Sequence, residues 1–181
     1  MRVLGGVMNK SIRNIEKKYR ISCCGTGLSM PGGPIRSIGF SFQVKGPLSK
    51  SELRRMTVGS ANELIDQAKH YGIDEFLYEP PFGLGQVQIN LFIESRSGEI
   101  NHPDIAIVGL VEGVITYKTL DHTERHTKKV EYTKETYEEA VALLKQEAEA
   151  LAQDVLIQEP LAFNKTCRTP VTKHRRSGHT R

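Results

Sequence analysis

Four glycines and one proline fall within the eleven residues Cys23–Gly33. Glycine alone enters the left-handed backbone region without a Cβ clash, and proline fixes φ and carries no N–H. The stretch therefore reads as a tight crossover between a helix and a strand. The other reading is an exposed loop whose amides contact a ligand or a partner. Gly25-Thr26-Gly27 begins like a dinucleotide fingerprint, but Met30 stands where the third glycine belongs, and the segment precedes a strand instead of following one. No Gly-Lys-Ser/Thr is present. The residues thus call for no cofactor, and the crossover is the reading adopted.

On either side the periodicity is clear. Ile12, Ile15 and Tyr19 mark one stripe of a short helix over residues 11–20. Ile38, Phe40, Phe42 and Val44 alternate with Gly39, Ser41, Gln43 and Lys45, the pattern of a half-buried strand that Gly46-Pro47 ends. Ser49 and Glu52 have the spacing of a capping box, with Leu48 and Leu53 as a hydrophobic staple. Leu53, Met56, Ala61, Leu64, Ile65, Ala68 and Tyr71 give that helix its apolar face, and Gly72 stops it. Residues 73–85 form a loop with one helical turn at 73–77. Three strands follow at 86–93, 105–111 and 114–120, the last two joined by a tight turn at Glu112-Gly113. Residues 121–133 are a polar loop or an edge strand. A final helix runs from about Lys134 to Val155. The order α-β-α-β-β-β-α predicts an α+β fold: about four strands in a mainly antiparallel sheet, with two long helices packed on one face. One domain over 11–160 is expected, between a disordered N-terminus at 1–10 and a basic disordered tail at 161–181.

Charge is distributed unevenly. The chain carries +4 in total, with +5 in residues 1–20 and +6 in residues 164–181, which leaves −7 in the body between them. An acidic body without tryptophan does not suit a groove that reads bases, so specific nucleic-acid binding is not expected, and any such association would act through the basic ends. Three cysteines, two of them adjacent, make no disulfide framework. They suit a reducing compartment. The apolar run at Val3–Met8 is short and glycine-broken, unlike a secretory leader, and Met8 offers an alternative start. No stretch has the roughly 20 apolar residues of a membrane span. A cytoplasmic location follows, with export without a leader as the alternative.

Few side chains form a chemical constellation. Cys23 or Cys24 would need a nearby base to become a thiolate nucleophile, and the histidines at 70, 102, 122 and 126 are remote in sequence. His122 and His126 sit four apart but in a segment without helical periodicity, so no metal site is expected. No catalytic residue is assigned. Tyr78-Glu79-Pro80-Pro81-Phe82-Gly83 is the second conspicuous loop. Its aromatics either anchor a partner or cover one end of the core. Thr26, Ser29, Met30, Tyr78 and Phe82 are the candidate partner contacts.

Ser29-Met30-Pro31-Gly32-Gly33, Ile38-Gly39-Phe40-Ser41-Phe42, Pro47-Leu48-Ser49-Lys50 and Tyr137-Glu138-Glu139-Ala140 resemble segments shared by a group of small bacterial proteins, over roughly residues 11–150. The group has no established activity, so the resemblance implies no catalytic residue. Some of its members begin with an export leader. Three functions remain open: a non-catalytic protein-interaction domain presenting residues 22–34 and 78–86, a small enzyme using Cys23 or Cys24, and a nucleic-acid-associated protein working through basic tails.

Overall fold

The computed structural model describes residues 2–95, 103–120 and 130–157. It is an α+β structure with three helices and a single mixed sheet of six strands. In chain order the elements are α1 (Arg2–Tyr19), β1 (Ser22–Ser29), β2 (Ser37–Lys45), α2 (Lys50–Tyr71), β3 (Val87–Glu94), β4 (Ile105–Val111), β5 (Val114–Leu120), β6 (Val130–Thr136) and α3 (Tyr137–Ile157), with short 3-10 turns at Ile73–Phe76 and Leu84–Gln86. The chain divides into two compact units, Met1–Gln146 and Glu147–Arg181, and the second is described only over the distal part of α3. The expected tail at 161–181 lies outside the described residues.

The strands lie side by side in sequence order. All neighbours are antiparallel except β2 and β3, which run parallel from Ile38↔Val87 to Lys45↔Glu94. The exception has a simple cause. A parallel pair needs a long crossover, and α2 is that crossover. Its start is secured as the residues imply: Ser49 Oγ accepts from the Glu52 amide at 3.2 Å, and the Glu52 carboxylate accepts from the Ser49 amide at 2.9 Å. The Ser49 hydroxyl, donating to the Glu52 carboxylate at 2.7 Å, and the Ser49 amide hold that carboxyl below its ordinary range. At the other end Gly72 takes φ 64°, ψ 49°, the left-handed stop.

One face of the sheet is the core. Ile38, Phe40, Phe42 and Val44 on β2, Val87, Ile89, Leu91 and Ile93 on β3, Val108 and Leu110 on β4, and Ile115 and Tyr117 on β5 are all buried. Leu53, Ala61, Leu64 and Ala68 of α2 meet them in one cluster. Tyr71, expected on this face, is exposed instead. The α1 helix runs antiparallel to α2: Gly6 lies against the Tyr71 ring, Asn14 donates to Glu63 at 2.6 Å, and the Tyr19 hydroxyl reaches the Arg55 carbonyl at 3.3 Å.

Three expectations need correction. The sheet has six strands, not about four, and there are three helices. First, Ser22–Ser29 is not a crossover but the edge strand β1, paired with β2 from Ser22↔Gln43 to Ser29↔Ser37 with a bulge between Cys23 and Gly25. Its pairing rests on backbone groups, so no alternation of apolar side chains announces it. Second, residues 2–10 belong to α1, with Leu4 and Val7 buried. Gly5-Gly6 argues against a helix on propensity alone, but a Cβ at Gly6 would lie 3.1 Å from the Tyr71 ring, so helix packing favours glycine there. Third, Val130–Thr136 is the strand β6, and the last helix begins at Tyr137. The inward residue of β6 is a charged one, Glu135, which in the sequence looks like surface.

Candidate partner-contact site at the β1 edge

The two conspicuous segments come together at one end of the sheet. The Ile35 amide donates to the Phe76 carbonyl at 2.7 Å, and the Tyr78 amide donates to the Ile35 carbonyl at 2.9 Å. This is a short parallel bridge, Ile35↔Leu77, whose side chains are both buried. The Arg36 amide closes the turn after β1 by donating to the Ser29 carbonyl at 2.8 Å. Gly32 and Gly33 make that turn, with φ of 80° and 120°. Gly25 and Gly27 lie in the strand and need no left-handed angle.

Ser29 and Tyr78 then line one polar cleft of about 420 Å³, with Arg36, Ser37, Gln86 and Gln88. The Arg36 guanidinium stacks 4.7 Å from the Tyr78 ring centre. Gln86 is pinned by two bonds: its Nε2 donates to the Glu79 carbonyl at 2.7 Å, and its Oε1 accepts from the Gly83 amide at 2.8 Å. Met30 lines the adjoining surface with Phe76. Thr26 is exposed on β1. Tyr78, Leu28 and Met30 are 52%, 40% and 37% exposed. Phe82 is a different case: at 2% exposure it is a core residue, the second of the two roles open to it, and its amide donates to Asp74 at 3.0 Å.

From Ser22 to Met30 the edge carries no charged residue and no proline, two of the usual devices that stop another chain from pairing. Its start is closed, because the Glu16 carboxylate takes the Cys23 amide and the bulge lies between Cys23 and Gly25, so the open part is Gly25–Met30. The opposite edge, β6, carries Glu131, Lys134 and Glu135. Nothing stands within 4 Å of a Cβ built at Gly27, so the surface there is open.

The Cys23 thiol does not resemble an activated nucleophile. Burial pushes the Cys23 thiol up from its ordinary value, and the Glu16 carboxylate adds to the shift. Its Sγ donates to the Gly25 carbonyl at 3.4 Å, and its amide to Glu16 at 2.8 Å. A catalytic cysteine needs the opposite shift. His70 packs edge-on against Tyr71, and the histidines at 102, 122 and 126 lie outside the described residues. Among the described residues no three His, Cys, Asp or Glu side chains gather into a metal site, and no helix is long and apolar enough to cross a membrane.

One polar cluster escaped the sequence altogether. Arg54 of α2 grips Glu135 of β6 with both arms of its fork, Nε at 2.8 Å and Nη2 at 2.9 Å. The Tyr117 hydroxyl donates to the same carboxylate at 2.5 Å, and Lys50 Nζ stands 3.8 Å from it. Burial favours the neutral acid, but the hydrogen bonds from Arg54 and Tyr117 outweigh it and leave Glu135 below the usual carboxylate range. Burial and the neighbouring carboxylate push the Tyr117 hydroxyl far up. These groups satisfy one another, so the cluster ties α2 to β5 and β6. Residues 54, 117 and 135 share no local motif that could have signalled it.

Compared with protein-family models, with curated proteins and with solved structures, the chain matches none.

Proposed function

We propose that this is a non-catalytic protein-interaction domain that captures an extended segment of a partner protein as an additional strand along β1. The observation that carries the reading is the uncharged, proline-free edge from Ser22 to Met30. Main-chain groups of such an edge supply affinity, and side-chain pockets beside it supply selectivity. Leu28 and Met30 flank the edge on one side. Ser29, Arg36 and Tyr78 offer a polar cleft at its end, which Glu79 and Glu112 also line, suited to an amide on the incoming segment.

Selection of displayed peptides on the intact protein tests this directly. Selected peptides should alternate apolar residues and should slow hydrogen exchange of the Gly25–Met30 amides. Gly27→Lys should abolish their binding without changing the melting temperature, because the new side chain meets nothing within 4 Å and places a charge on the edge. Peptides that bind without protecting β1 would refute the reading.

A further inference from the structure

The sheet face turned away from the helices is not flat. Register places Ser41, Asn90, Gly109, Thr116 and Lys134 in one row across β2 to β6. Larger side chains stand on both sides. Phe92, Ile107, Lys118 and Tyr132 form one wall, and Gln88, Val111 and Val114 form the other. The result is a trough of about 670 Å³ over β3–β6, floored by Asn90, Gly109 and Thr116. Its apolar walls face solvent: Phe92, Val111, Val114 and Tyr132 are 39%, 45%, 39% and 57% exposed.

The same chain carries a helix stripe in need of cover. Tyr137 and Ala140 at the start of α3 are buried, Val141 and Leu144 are half-buried, and Leu151 is 62% exposed. One apolar stripe thus goes from buried to exposed side chains along α3. Burying such a stripe is what normally stabilises an amphipathic helix in water.

We propose that the trough receives the distal part of α3 from a second copy of this chain, the two copies exchanging helices about a two-fold axis. The dimensions agree. The wall rows are four residues apart along a strand, about 13 Å between backbone positions, which with the wall side chains leaves room for the apolar ridge of a helix. From β3 to β6 the trough spans three strand spacings, about 14 Å, which about ten helical residues cover, and Leu144–Gln153 supplies them. The charges agree as well. Lys118 and Lys134 outnumber Glu112 on the trough lining, and residues 144–153 of α3 carry Glu147, on the face of Leu144 and Leu151, and Glu149 against the single Lys145. A two-fold exchange uses each surface once per copy and closes the assembly.

Interchain cross-linking in the full-length chain, with Cys23, Cys24 and Cys167 replaced by serine, decides the question. A Thr116→Cys chain mixed with an Ala148→Cys chain should give a disulfide-linked dimer under mild oxidation, and neither chain alone should. Sedimentation equilibrium should show a dimer whose dissociation constant rises at least about tenfold in Leu151→Asp and in Lys134→Glu, with circular dichroism unchanged. A chain that stays monomeric at high concentration overturns the proposal. So does cross-linking confined to a single doubly substituted chain, which would make the helix's own trough the acceptor. Cross-linking of Ala148→Cys with itself would instead show helix pairing with helix.

Discussion

Glu135 shows how much one side chain can hold. It is a charged residue with only 8% of its side chain exposed, and it survives there because Arg54, Tyr117 and Lys50 all address its carboxylate. Removing the charge while Arg54 stays buried should be costly, about 3 kcal/mol for Glu135→Gln in chemical denaturation. The pH dependence follows from the sign of the shift. The folded carboxyl lies below its ordinary value, so its contribution is complete above the unfolded glutamate pKa of about 4.3 and is lost as pH falls through the folded value. Acid unfolding of Glu135→Gln should lack that component, and an unchanged acid profile would count against the shift. Glycines differ just as sharply among themselves. Gly33→Ala, at φ 120°, should destabilise by about 1 kcal/mol. Gly27→Ala, in an extended strand with open space around it, should leave thermal stability unchanged or slightly raised.

Among the elements, α2 is the organiser. It supplies the crossover that makes β2 and β3 parallel, the layer that covers the sheet, and the arginine that reaches β6. Ser49→Ala removes the hydroxyl that accepts from the Glu52 amide, leaves the backbone half of the capping box in place, and should cost about 1 kcal/mol. Leu64 is fully buried, and Leu64→Ala should cost roughly 2–5 kcal/mol because a cavity is left in the core. Urea denaturation measures both, and a near-neutral Leu64→Ala would contradict the packing described. Gly59 is the other sensitive point of this helix. A Cβ there would run into the Tyr19 hydroxyl, so Gly59→Ala should loosen α1 against α2, and faster hydrogen exchange along α1 would report it.

For the whole molecule, every described residue of the buried core lies at or before Ala140, so the chain ending at Gln146 should still fold cooperatively, but as a monomer whose melting temperature, unlike that of the full chain, does not rise with protein concentration. By itself the sequence determined what depends on neighbours along the chain. The alternation in β2 and β3, the Ser49 cap, the Gly72 stop and the Glu112-Gly113 turn are local physics, and each is where the residues placed it. The candidate contacts Ser29, Met30 and Tyr78 were legible as glycine- and proline-bound loop residues. That they share one end of the sheet was not, because it depends on the Ile35↔Leu77 bridge between segments more than forty residues apart. Only the tertiary structure decided the rest. It made Cys23–Ser29 a strand through backbone pairing that side chains do not encode, extended α1 through Gly5-Gly6 because Tyr71 packs there, and turned Glu135 inward because Arg54 and Tyr117 wait for it. In each case the deciding energy comes from a partner distant in sequence, which no local pattern carries.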